Sequence, residues 1–454
     1  MEYKIEKDSM GFVEVPKDVY WGAQTQRSLN NFQIGRDNMP LEVIKAIALI
    51  KGACAVVNFH NGDLSEEKKD AILQSTTEII DDKLSSNFPL KVFQTGSGTQ
   101  SNMNVNEVIA NRANEILSKN ILHPNDDVNK SQSSNDVFPS AMHIAAVMKI
   151  SDELIPSMKN MIKIFENLEE KYDDVIKIGR THLQDATPLK FSQELSGYRE
   201  MISINLNMIE ESMKGLLSLA IGGTAVGTGI NAKPGFGDEV CEILREKTGF
   251  NFYSSKNKFH SLTSKDQLSY AHGALKALAC NLFKMATDIK LLCSGPRCGL
   301  GEIKLPSNEP GSSIMPGKVN PTQAEAMTMA CVQVMGNDTV ISIAAANGNF
   351  ELNVFMPVII NNFLHSVELL ADSIKSFGNN CLIGMEPDKE VIEKHLQNSL
   401  MLVTALSPVI GYENAAKISK LAYEENISLK EAALRLQLVD SEEFDKIVDV
   451  KKMV

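Results

Sequence analysis

Apolar residues recur at steps of three and four over long stretches of this chain. Between Ser264 and Cys293 the series Leu268, Ala271, Leu275, Leu278, Leu282, Met285, Ile289 and Leu292 keeps that spacing, with no proline and a single glycine. The pattern predicts a coiled-coil-like helix about 45 Å long. Similar periodicity runs from Asp136 to Tyr172, where Pro139 suits a first turn and Pro156 predicts a kink. It returns from Phe191 to Leu219, from Pro321 to Val340 and from Asn353 to Phe377. Long helices of this kind suit a bundle with antiparallel neighbours, and Ala324, Ala326 and Ala330 leave room for a partner helix. Shorter helices are predicted at Leu41 to Asn58, Ser65 to Ile80 and Val105 to Leu117. From about Pro387 onward the chain reads as a small helical tail, in which Ser428-Leu-Lys-Glu431 predicts a capping box. No alternating series that would build a sheet is evident, so the expected class is mainly α.

Charge narrows the partners. With 45 basic and 57 acidic residues the formal charge is −12, which argues against a nucleic-acid surface and against a polybasic membrane anchor. No apolar run reaches the roughly 18 residues of a membrane span. The opening MEYKIEKDSMGF has neither the apolar core of a secretory signal nor the arginines of a transit peptide, so a cytoplasmic protein is expected. The seven cysteines are scattered without a C-x-x-C, which predicts reduced thiols rather than disulfides or an iron–sulfur cluster. Histidine spacing gives no zinc motif, and no cofactor or metal is expected.

Four polar clusters stand out against the apolar helices. Thr95-Gly-Ser-Gly-Thr-Gln-Ser-Asn-Met-Asn104 precedes an apolar run. It reads either as an elaborate N-cap or as a glycine-rich approach to an anion at a helix N-terminus. His123-Pro-Asn-Asp126, followed by Ser131-Gln-Ser-Ser-Asn-Asp136, is a turn and a cap, or a second hydroxyl- and amide-rich rim with His123 as a cation. Gly179-Arg-Thr-His-Leu-Gln-Asp185 sets His182 among polar neighbours between two apolar helices, where a core histidine and a catalytic one are equally consistent. Gly311-Ser-Ser-Ile-Met-Pro-Gly-Lys-Val-Asn-Pro321 has the glycines of a mobile loop, and a plain linker would need neither Lys318 nor two adjacent serines. Gly227-Thr-Gly-Ile-Asn-Ala232 matches a dinucleotide fingerprint by letters but lacks a preceding strand in a βαβ unit. Together these clusters describe a bundle whose helix ends and loops could bind a small polyanion and move a proton.

With these segments in view, the chain closely resembles the class II fumarases of the fumarase/aspartase superfamily. The loop from Gly311 to Pro321 looks like the superfamily signature. The likeness extends through VYWGAQTQRSLNNFQIG, FQTGSGTQSNMN, HPNDDVNKSQSSND, GRTHLQDATPL, IGGTAVGTGIN, SGPRCGLGEIKLPSNEPGSS and IGYENAAKISK, over essentially the whole length. It implies a three-domain, fumarase/aspartase-like fold around five long helices, with domains at 1–133, 134–385 and 386–454. Sister aspartases carry glutamine at the position of His182 and alanine at that of Gly317. One departure is Asn120, beside Lys119, where fumarases often place an arginine near a secondary dicarboxylate site; the matching positions here are His123, Asn125 and Asp126.

The family reaction is reversible anti addition of water to fumarate, giving (S)-malate through an aci-carboxylate carbanion. The resemblance assigns the carbon base to Ser312 and the water end to His182, with Glu325 orienting the imidazole. Substrate contacts fall on Ser97, Thr99, Ser133, Ser134, Asn135, Thr181, Ser313, Lys318 and Asn320. It also implies a homotetramer in which each active site gathers segments of three subunits. Two other readings are an aspartate ammonia-lyase, against which His182 and Gly317 speak, and a non-catalytic helical scaffold, against which the intact Ser312, Lys318, Asn320 and His182 speak.

Overall fold

The computed structural model describes residues 2–454 and is mainly α-helical. The long seam lies on the helix Asp266–Leu292, and all eight of its apolar positions are buried. The other long helices are Phe191–Leu216, Thr322–Ala345 and Met356–Phe377, together with a segment interrupted at its middle. That segment runs as Ser134–Lys149, a π-turn at Ile150–Leu154, and Ile155–Lys171. The expected kink at Pro156 is therefore a widened turn just before it, in which the Ile155 N–H bonds the Ile150 carbonyl.

By compactness the chain divides into two units. The first holds Met1–Pro156, Asn205–Ala279 and Cys331–Ala371. Its helix Leu41–His60 is buried on all sides and packs against Glu66–Ile80, Ser134–Lys149 and Phe236–Thr248, which is why its sequence is apolar around the whole circumference. The second unit holds Ser157–Ile204, Cys280–Ala330 and Asp372–Val454. One of its cores gathers Leu396, Leu402, Leu406, Ile418, Ala432 and Phe444 from the tail helices, and Ile178 joins them. Ser428 does cap the helix Leu429–Arg435 through the Glu431 N–H, but the Glu431 carboxylate turns to Arg435, so only half of the capping box forms.

Strands are where expectation and structure part. The described residues form four two-stranded pairs, two of them real hairpins: Tyr3–Asp8 with Gly11–Pro16, and Ile176–Thr181 with Gln184–Lys190. The first hairpin alternates exposed and half-buried positions, with little fully buried apolar surface to mark it. In the second, an irregular register between Ile178 and Arg180 and a proline at 188 break the period of two.

Candidate active site

The hydroxyl cluster belongs to the first unit. The helix predicted from Val105 begins at Thr99, so the polar run forms its first turns rather than preceding them. Gly98 sits before it in a left-handed conformation, and a Cβ there would lie 2.3 Å from the Phe138 ring. At Gly96 a Cβ would lie 1.5 Å from the Val354 carbonyl oxygen. These glycines let the backbone lie against the core, and the N-cap is Gly98 itself, which offers no side-chain bond, so the N-cap expected of the hydroxyl and amide residues in this run does not form. Ser97 Oγ is 2.8 Å from Thr99 Oγ1, which is 2.8 Å from Ser134 Oγ. Three hydroxyls thus form one chain, and each polarises the next.

Ser133 caps the helix Ser134–Lys149, its Oγ accepting from the Asn135 N–H while Asp136 returns a bond to the Ser133 N–H. The Ser133 hydroxyl proton remains free to donate. Asn135 spends one amide N–H on the Ala225 carbonyl and keeps the other. Asp136 is fully buried and also accepts from the Gly222 and Thr224 N–H groups, at 3.0 and 2.9 Å. Burial pushes its pKa up against those hydrogen bonds. Beneath the same loop, buried Lys51 donates to Asn129 Oδ1 and Gln132 Oε1, and burial pushes its pKa down to about 7. Lys51 and the docking of Gly222 and Thr224 onto Asp136 were not evident in the sequence. The only hint was the glycine run IGGTAVGTGIN, where Gly222 and Gly227 adopt positive φ without any βαβ unit.

His123, Asn125 and Asp126 lie together at a π-turn, Pro124–Val128. His123 Nδ1 accepts from the Asn125 and Asp126 N–H groups at 3.3 and 3.2 Å, and it also lies 3.2 Å from Asp126 Oδ2. Accepting needs the nitrogen lone pair and pairing with Asp126 needs its proton, so the cation reading holds only when the cap is given up. Asn125, Asp126 and Ser133 line a cleft of about 800 Å³ that also takes in Thr224 and Lys233. Asn120 accepts from Asn114, and Lys119 is engaged by Glu67.

The second unit carries the remaining predicted residues. Between the helices Ile155–Lys171 and Phe191–Leu216, as expected, the chain forms the Ile176–Lys190 hairpin, and His182 occupies its tip. The two-residue turn His182–Leu183 has φ values of 57° and 60°, the backbone of a tight turn that usually employs Asn-Gly. Residues 181–185 are exposed, and among the described residues neither His182 nor Thr181 makes a side-chain hydrogen bond. His182 and Leu183 border a cleft of about 380 Å³ with Lys177, Arg180, Glu194 and Tyr198.

The signature loop is closed at its base. The Gly311 N–H bonds the Lys318 carbonyl at 2.8 Å, and Asn320 Nδ2 donates to the Gly311 carbonyl at 2.8 Å. A Cβ at Gly311 would lie 2.7 Å from that Lys318 oxygen, and Gly317 turns the loop at φ +79°. Inside it, Ser312 Oγ accepts from the Ile314 N–H at 3.2 Å and the Met315 N–H at 3.0 Å. Two N–H dipoles aimed at one hydroxyl oxygen favour its deprotonated form. Lys318 and Ser313 are exposed, and Lys318 makes no ion pair among the described residues. Glu325 is exposed in the first turn of Thr322–Ala345, and no hydrogen bond joins it to His182 within the chain.

Comparison with known proteins places this geometry in a family. A lyase family model matches residues 11–336 and a fumarase C C-terminal model matches residues 402–454. The chain is 57% identical to the class II fumarate hydratase of Bacillus subtilis over 458 residues, covering all of this chain and 99% of that one. It is 58% identical to the class II fumarate hydratase of Helicobacter pylori over 459 residues, with the same coverage. Among solved structures, the class II fumarase of Schistosoma mansoni superposes with a TM-score of 0.98 at 42% identity, over 100% of this chain and 99% of that one. The mainly α, fumarase/aspartase-like fold expected from the sequence is therefore the fold observed, and the chain belongs to the class II fumarate hydratase family.

Proposed function

We propose that this chain is a fumarate hydratase, converting fumarate and water to (S)-malate and back. The observation that carries the site assignment is Ser312, whose Oγ lies under two backbone N–H groups in a loop that also bears Lys318. In the malate-to-fumarate direction Ser312 takes the proton from the methylene carbon. The electron pair spreads into the adjacent carboxylate as an aci-carboxylate. The hydroxyl on the neighbouring carbon then leaves with a proton supplied at the His182 end, as water. A weak carbon acid requires donors already aimed at the developing dianion. Lys318 supplies a full positive charge, and the second amide N–H groups of Asn135 and Asn320 and the Ser97–Thr99–Ser134 chain supply directed hydrogen bonds. Ser133, Thr181 and Ser313 complete the rim, and Glu325 orients the imidazole. The chemistry calls for no cofactor.

The assembly is a homotetramer with three-subunit sites, working in the cytoplasm. Exposed Val332, Val340, Ile343 and Tyr270 support the assembly, since a lone chain leaves these apolar side chains in water. So does the exposed, unpartnered state of His182 and Glu325 in one chain. No helix of the described residues is long and apolar enough to cross a membrane.

The test is absorbance at the fumarate band with purified protein and (S)-malate, beside Ser312→Ala and an aspartate reaction. Fumarate should appear from malate alone, and Ser312→Ala should slow it by about 10³-fold, the middle of the range for losing a proton-transfer group. Ammonia from aspartate would instead identify an aspartase, and silence on both substrates a scaffold.

A further inference from the structure

The turn that carries His182 does not hold itself. Its two tip residues have positive φ without being glycine, its side chains are exposed, and the imidazole has no hydrogen bond among the described residues. The geometry of the tip must therefore be fixed from the arms below it. Lys177 and Arg180, both on the strand Ile176–Thr181, converge on Glu302, whose side chain is completely buried. Arg180 Nη2 donates to Glu302 Oε1 at 2.7 Å, and Lys177 Nζ lies 3.2 Å from Oε2 and 2.7 Å from Glu194 Oε2. The same Oε1 takes a third partner, His395 Nδ1 at 3.0 Å, from the helix Lys389–Asn398. An ionised carboxylate only accepts, so His395 carries its proton on Nδ1.

Glu302 is itself immobilised. Its N–H bonds the Leu292 carbonyl at 2.9 Å, its carbonyl accepts from the Asp388 N–H at 2.8 Å, and the next two residues pair with Glu386–Pro387. Burial alone would raise its pKa, yet the Arg180 hydrogen bond, the Lys177 charge and the His395 hydrogen bond hold it below the usual carboxylate range. A second, apolar tie runs in parallel, since Ile178 is buried in the core formed by Leu396, Leu402 and Leu406.

We infer that Glu302 is a positioning residue for His182: its carboxylate clamps the hairpin strand to the His395 helix, so the C-terminal helices set the ring's position. Neither Glu302 nor His395 touches substrate. The inference rests on the fumarate hydratase reading for its activity arm and on the hairpin alone for its second arm.

The experiment uses the full-length protein with Glu302→Gln, His395→Ala and His395→Asn, the last retaining an N–H at the position of Nδ1. Glu302→Gln should lower kcat by about 10- to 100-fold, the usual cost of losing an outer partner of a working group. KM should stay within about twofold, and the limb of the pH–kcat profile that reports the imidazole should move. His395→Ala should lower kcat severalfold, and His395→Asn should restore most of it. In hydrogen exchange, peptides spanning residues 181–184 should exchange faster in His395→Ala than in wild type and recover in His395→Asn. A purely structural cluster would lower the melting temperature of both His395 variants while leaving kcat, the pH profile and tip exchange at wild-type values, and that result overturns the inference. Should Glu302→Gln fail to fold, the His395 pair decides. Should wild type be inactive on fumarate and malate, the functional reading falls, and unchanged tip exchange in His395→Ala is what would separately sink the clamp.

Discussion

At the head of the Thr99–Leu117 helix, Ser97, Thr99 and Ser134 touch hydroxyl to hydroxyl, and the glycines beside them lie against Phe138 and Val354. At the hairpin tip, His182 stands exposed in a positive-φ turn, its side chain without a hydrogen bond among the described residues. The first arrangement is held by the core directly beneath it. The second is held at a distance, through buried charges on its supporting strand, at a cost of about 1–2 kcal/mol for each non-glycine residue in the left-handed region. On the proposed function the contrast follows from two tasks: binding a dicarboxylate asks for donors that do not move, and proton transfer for a ring that reaches out of its own subunit's surface.

Gly98→Ala tests the first half of the comparison and should have the largest effect. The new Cβ would meet the Phe138 ring at 2.3 Å with φ at +71°. Overpacking costs about 1–3 kcal/mol and the backbone about 1–2 more, so denaturant unfolding should show a loss of about 2–5 kcal/mol. A loss below about 1 kcal/mol would mean the rim is pliable rather than locked.

Thr99→Val comes next. It keeps the shape and removes the middle hydroxyl of the chain, leaving Ser97 and Ser134 without their shared partner. A hydrogen bond to a charged group is worth about 1.5–3 kcal/mol, so kcat/KM should fall about 10- to 100-fold with unfolding unchanged within about 1 kcal/mol. An unaltered kcat/KM would remove the hydroxyl chain from substrate binding.

The same contrast explains what could be read from the sequence. Helical periodicity is a repeated signal, and the seam from Leu268 to Leu292 was legible because eight positions agree and all are buried. A cap at the head of the Ser134–Lys149 helix was legible because capping residues act on their own neighbours in the chain, although the sequence placed it at Ser134 to Asp136 and the capping residue is Ser133. The hairpin around His182 was not, because its strands are short, broken by an irregular register and by Pro188, and its tip has the wrong residues for its turn type. Glu302 was invisible for a different reason. Its partners Arg180 and His395 lie 122 and 93 residues away along the chain, and nothing local marks a glutamate as a hub. Lys51 likewise sits inside an apolar helix whose pattern gives no sign of Asn129 and Gln132 above it. The chemistry-bearing letters were present in both regions, but only those acting on near neighbours declared their geometry.

Leu183→Gly sharpens the second half, and its effect on activity is smaller than that of Thr99→Val. Leu183 is 71% exposed at φ 60°, so little packing is lost and glycine adopts this backbone without a steric penalty. Against that relief of about 1–2 kcal/mol stands the greater chain entropy of glycine, about 0.5–1 kcal/mol. The net expectation is a gain of about 0.5–1 kcal/mol in denaturant unfolding, from the difference of those two terms. Activity should move the other way. A glycine beside His182 widens the range of ring positions that the Arg180–Glu302 clamp must restrict, and kcat should fall severalfold. A variant that is both more stable and fully active would show that the tip's conformation is incidental to the ring's task. One that is more stable and slower would show that the strained turn persists because it aims the imidazole.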